Sequence, residues 1–117
     1  MAILIVDRSN AETVVCASVE LADNYWKRLR GLLGRAALEP GTGMLFKGES
    51  SIHSAFMRFS FDAIFMDAEM RVVGLAENIA PWRVRGARRS RNILELGAGE
   101  IARVGVKVGD QLAVVEN

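Results

Sequence analysis

Short apolar runs, each cut off by turn-forming residues roughly every eight to twelve positions, constrain this chain more than any other feature. Ala2 to Val6, Thr13 to Leu21, Gly43 to Phe46, Ala63 to Met66, Val72 to Ala76, Asn92 to Leu96 and Gln111 to Val115 all read as strands, rich in β-branched and aliphatic residues. Between them stand Asp7-Arg8-Ser9-Asn10, Lys47 to Ser50, Asp67-Ala68-Glu69 and Val108-Gly109-Asp110, each carrying turn chemistry. Ala63–Met66 and Val72–Ala76 pair naturally as a hairpin, and the first two runs as another.

Helical periodicity occurs once at length. Asp23 can cap a helix from about Asn24 to Leu33, with Trp26, Leu29, Leu32 and Leu33 as one apolar stripe, Lys27, Arg28 and Arg30 facing water, and Gly34 at its end. A single helical turn follows from Gly99 to Val104. With about eight short strands and no regular strand–helix alternation, the pattern predicts a mainly β domain, a compact sandwich or barrel-like fold with one main helix and one short helical turn. The 117 residues fit one domain, spanning 1–117.

The single Cys16 excludes an internal disulfide, and with no histidine near it in sequence it reads as a small buried hydrophobe. No apolar run reaches the length of a membrane span, and Met1 to Val6 lacks the basic start of a signal peptide, so the expected location is cytoplasmic.

Charge is distributed unevenly. The net charge is +1, yet Arg83, Arg85, Arg88, Arg89 and Arg91 fall within nine acid-free residues, which leaves the rest of the chain at −4. Trp82 stands at the head of this basic segment. An aromatic ring beside guanidinium groups can stack on a base or sugar while the arginines take phosphate or carboxylate.

The stretch Ser51 to Asp67 holds the only histidine and sets His53, Ser54, Arg58, Ser60 and Asp62 among Ile52, Phe56, Met57, Phe59 and Phe61. Polar groups embedded in an apolar run need partners, which makes this stretch the candidate site. His53, Met57, Arg58, Asp62, Trp82 and Glu95 are the expected ligand-binding set, for a small anionic or sugar-like molecule taken without catalysis. Arg83, Arg85, Arg88, Arg89 and Arg91 form an alternative anion or nucleic-acid patch. A third reading, an uncharacterised hydrolase or isomerase, places Asp62 or Glu95 as general base.

Other chemistries fit less well. A Ser–His–Asp triad from Ser54, His53 and Asp62 is opposed by strand geometry, which points adjacent side chains apart. One histidine and no cysteine pair give no metal-binding spacing among His53, Asp62, Glu77 and Glu95, so no metal is expected. Gly97-Ala98-Gly99-Glu100-Ile101-Ala102 matches the dinucleotide fingerprint letter by letter, but the chain ends before a crossover helix and second strand could follow. No cofactor is expected. For Asp62 the alternative to a pocket role is a structural carboxylate capping backbone amides or paired with Arg58.

Several local patterns coincide with a family. Leu21-Ala22-Asp23 leading to Arg30-Gly31-Leu32, Gly43-Met44-Leu45-Phe46, Ile52-His53-Ser54 with Phe56-Met57-Arg58, and Asp62 to Asp67 occur in order. Pro81-Trp82, Leu94-Glu95-Leu96 with Gly97 and Gly99, and Gly105-Val106-Lys107-Val108-Gly109-Asp110 complete the series. Together they resemble the bacterial and archaeal family known as domain of unknown function 192, over residues 13 to 115. The resemblance implies a small β-rich domain with one main helix and brings no established activity. Exported relatives keep the location open. Where many relatives have tryptophan-methionine-lysine-asparagine, this chain has Phe56-Met57-Arg58-Phe59, so a role resting on that asparagine does not carry over.

Overall fold

The computed structural model describes residues 2–6, 12–22, 39–53 and 59–115. Ten strands and one short helix are found among them. In chain order these are β1 (Ala2–Val6), β2 (Glu12–Cys16), β3 (Ser18–Ala22), β4 (Thr42–Lys47), β5 (Ser51–His53), β6 (Phe61–Met66), β7 (Val72–Ile79), β8 (Val84–Gly86), β9 (Asn92–Gly97), α1 (Glu100–Val104) and β10 (Gln111–Val115). The expected β-rich class holds. The expected helix from Asn24 to Leu33 lies outside the described residues.

Five strands form the central sheet in the order β3-β4-β9-β6-β7, all antiparallel except the β3–β4 pair. Alternation along β4, β9 and β6 sends side chains to two buried faces. Leu45, Leu94, Leu96, Ile64 and Met66 take the first face and meet Ile3, Ile5, Val15 and Leu112 of a second, three-stranded sheet, β10-β1-β2. Met44, Phe46, Ile93, Phe61, Ala63 and Phe65 take the other face, where Ile52 and Phe59 join them. Every residue of β6 is buried. At about 1.5–3 kcal/mol for each large apolar side chain removed from water, β6 and β9 hold the two layers together.

The run Thr13–Leu21 is two strands rather than one. The amides of Ala17 and Ser18 both donate to the Gly41 carbonyl, at 2.9 and 3.1 Å, and this bends the chain between β2 and β3 so that it passes from one sheet to the other. Likewise the segment Glu77–Arg91, which reads as irregular, contains the end of β7 and the three-residue β8. The latter pairs antiparallel with β5 through Ser51↔Gly86, Ile52↔Arg85 and His53↔Val84. Gly86 is required at that crossing, since a Cβ there would stand 3.0 Å from the Ser50 carbonyl oxygen.

Candidate binding arm and the two buried carboxylates

Asp62 lies on β6 opposite Leu96 and faces the first core, with 0% of its surface exposed. Its Oδ1 accepts the Asn78 amide at 2.9 Å, and its Oδ2 accepts the amides of Gly99 and Ile101 at 3.1 and 3.0 Å. Both partners arise from local irregularity. β7 is bulged between the pairs Phe61↔Ile79 and Ala63↔Ala76, and Asn78 there adopts φ 52. At the other oxygen, α1 starts at Gly99, which has no side chain with which to cap it. Asp62 supplies that cap from a different strand. Of the two sequence readings for Asp62, these contacts are those of a structural carboxylate capping backbone amides.

The same contacts answer the glycine-rich motif. The amides at the start of α1 are taken by Asp62, α1 runs only from Glu100 to Val104, and the following β10 pairs with β1 in the other sheet, so there is no strand–helix–strand unit for a dinucleotide.

Glu95 sits on β9 between Met44 and Ala63, on the second face, also with 0% exposure. Asp62 and Glu95 therefore point into opposite cores, and one pocket does not contain both. Met57 and Arg58 lie outside the described residues. His53 is placed by its backbone in β5, beside Val84.

Trp82 stands elsewhere. It follows Pro81 in the turn between β7 and β8, at φ 64, with 62% of its surface exposed. Positive φ in such a turn suits glycine or asparagine; a large side chain there is strained. Val84, 67% exposed, alternates with it along the chain, and Arg83 and Arg85 occupy the positions between. That alternation, Trp82-Arg83-Val84-Arg85, is the sequence signal that could have singled out Val84, absent from the expected site.

Beyond β8 the basic segment is fixed at its backbone. The Ala87 amide donates to the Ser50 carbonyl at 3.3 Å, Ser90 to Ala87 at 3.0 Å, and Arg91 to Met66 at 2.7 Å. The buried Ser90 hydroxyl lies within hydrogen-bond reach of the Glu49 and Asn92 carbonyls. Ala87 also packs on Gly74, where an added Cβ would meet it at 3.0 Å. Arg88 and Arg89 thus project from a pinned turn. All five arginines are exposed. The guanidinium groups of Arg85 and Arg91 donate to the carbonyls of their own neighbours, Val84 and Ser90, and none of Arg85, Arg88, Arg89 or Arg91 pairs with a carboxylate among the described residues. Trp82, Arg83, Val84 and Arg85 are therefore exposed neighbours along the chain at β8, with β5 carrying His53 alongside, and Arg88, Arg89 and Arg91 follow in the turn toward β9.

Cys16 and Glu100 are placed to stabilise the fold. Burial pushes the Cys16 thiol up to about 11, so no thiolate forms near neutrality. Glu100 is ion-paired with Arg103 at 2.6 Å and accepts the Gly41 amide, and its carboxyl is held below the usual range by Arg103 first, against the opposing effect of burial. No three His, Cys, Asp or Glu side chains cluster in metal-binding fashion among the described residues, and no helix there is long and apolar enough to cross a membrane.

The family model for DUF192, described as "Uncharacterized ACR", matches residues 5–114. The chain belongs to that family. A UPF0127 protein of Pyrococcus furiosus is 35% identical to this DUF192 chain over 101 residues, covering 80% of the chain and 84% of the relative. A crystal structure of a protein of unknown function from Novosphingobium aromaticivorans superposes with a TM-score of 0.79 at 26% identity, covering 97% of this chain and 84% of that one. A Sinorhizobium meliloti protein, described as a candidate transcription regulator, gives 0.77 at 27% identity, covering 96% and 91%. Both solved structures share the fold of this chain.

Proposed function

We propose that this chain is a non-catalytic binding domain that takes a small anionic or sugar-like ligand on the arm formed by β5, β8 and the turn after β8. The observation that carries this reading is Trp82, an exposed indole held at φ 64 at the head of a run of exposed guanidinium groups. Strained residues gather where a ligand is gripped, and this one presents most of its ring to solvent. The indole offers a flat apolar surface to a ring, and Arg83 and Arg85 offer forked donors that match a carboxylate or phosphate. His53, paired by backbone with Val84, belongs to the same arm, and Met57 and Arg58 follow it in the chain and stay in the proposed set. Asp62 leaves that set as a cap. Glu95 leaves it as a carboxylate of the second core.

A nucleic acid is the second reading. It is favoured by the exposure of Arg88, Arg89 and Arg91 beyond the reach of a small ligand on Trp82, and by the description of the Sinorhizobium relative. A thermal-shift screen of sugar phosphates, sugar acids and mononucleotides tests the first reading. A ligand at about 100 times its dissociation constant adds about 2.7 kcal/mol of stability. The expected result is stabilisation by one ligand class, lost in the Arg83→Ala, Arg85→Ala double variant. A shift that survives in that variant places the site elsewhere, and no shift across the screen removes the small-ligand reading.

A further inference from the structure

We infer that the arm binds single-stranded nucleic acid, with Trp82 stacked on a base and the arginines on the flanking phosphates; the inference rests on the anion-binding reading of the same surface. Three observations lead there. First, two guanidinium groups suffice for one small anion, whereas this segment exposes five, spread from Arg83 through the turn after β8 to Arg91 at the start of β9. Arg83 and Arg85 alone are about 7 Å apart along an extended backbone. An anion that engages the whole segment is a chain of charges.

Second, the segment is positioned before any ligand arrives. Ala87, Ser90 and Arg91 are tied to Ser50, Glu49 and Met66 by backbone and hydroxyl hydrogen bonds, and Gly86 and Gly74 permit the close approach of β8 to β5 and of Ala87 to the central sheet. A fixed backbone carrying exposed cationic side chains can follow a phosphate backbone without the entropy cost of ordering a loop. Third, Trp82 selects among polyanions. An acidic peptide has no aromatic face to offer it, and duplex bases are already stacked on one another, whereas single-stranded bases are open to an indole.

The test is a titration of the full chain with a thymidine oligonucleotide of about ten nucleotides, followed by anisotropy of a labelled strand and by tryptophan fluorescence. With five phosphates neutralised, affinity should fall about 100-fold between about 50 and about 200 mM salt. The Arg85→Ala, Arg88→Ala, Arg89→Ala variant should bind at least about tenfold more weakly at low salt, with a slope shallower by about 2. Trp82→Phe should lose most of the fluorescence quench while retaining the fold. Absence of binding at about 50 mM salt overturns the inference, as does a slope unchanged in the triple variant. Equal competition by a glutamate oligomer also overturns it, because charge alone would then account for the contact. If a mononucleotide still stabilises the protein through Arg83 and Arg85 while the oligonucleotide does not bind, this inference falls and the small-ligand reading stands.

Discussion

Trp82 and Asp62 show how differently a costly residue can be used. Trp82 holds positive φ with most of its surface exposed. Replacing it with glycine should therefore leave the melting temperature unchanged or raise it by a few degrees, since a left-handed non-glycine residue costs about 1–2 kcal/mol. Binding to the arm should weaken in the same variant. Scanning calorimetry beside a ligand titration measures both, and a Trp82→Gly protein that melts well below the wild type would mean that the indole is structural. Asp62 is the reverse case, fully buried and engaged by three backbone amides. Asp62→Ala leaves those donors without a partner and should cost about 3 kcal/mol or more in urea unfolding. Asp62→Asn keeps one acceptor oxygen and should lose less, with ligand binding at the arm unaffected. An Asp62→Ala protein of wild-type stability would remove the capping role.

At the scale of elements, Glu100 locks α1 to the bend between β2 and β3. It pairs with Arg103 and accepts the amide of Gly41, whose carbonyl in turn receives Ala17 and Ser18. Its folded-state pKa is lowered below the ordinary value of 4.5, so its contribution is fully present above that value and is lost as pH falls through the lower, folded one. Arg103 is largely exposed, so solvent screening keeps the contribution of the pair small. Urea midpoints should therefore separate wild type from Glu100→Gln at pH 7 and converge as the pH falls through the lowered, folded-state value. A gap that persists in acid would assign the effect to packing. Elements of this kind mark the limit of what the sequence discloses. The Ala63–Met66 and Val72–Ala76 hairpin was legible because its alternation and the turn at Asp67 are local. The bend at Ala17 was not, because the Gly41 carbonyl that causes it lies far along the chain. β8 was hidden by its three-residue length. Asp62 could be marked as a buried polar group needing partners, but those partners, at Asn78, Gly99 and Ile101, are fixed only by a bulge and a helix start that the fold itself creates.

Across the whole molecule, the two larger sheets enclose Asp62 and Glu95, and the exposed Trp82, Val84 and arginines lie on the arm. Asp62 and Glu95 are oriented into opposite cores, so the two acids do not share one pocket. The five arginines of residues 83–91 carry +5 in a chain whose remainder sums to −4, and that concentration of charge is what the proposed anion-binding role draws on. The family resemblance carried the fold across nearly the whole chain, while the arm emerged only when β5 and β8 were seen to pair. The most direct test is a nuclear magnetic resonance titration of the arginine Nε–Hε and tryptophan indole N–H signals with a mononucleotide at low salt. The account expects the Trp82 indole and the Arg83 and Arg85 signals to move together, saturably, before any core amide does. Movement confined to amides around Glu95 or Asp62, with the arm signals still, would contradict it.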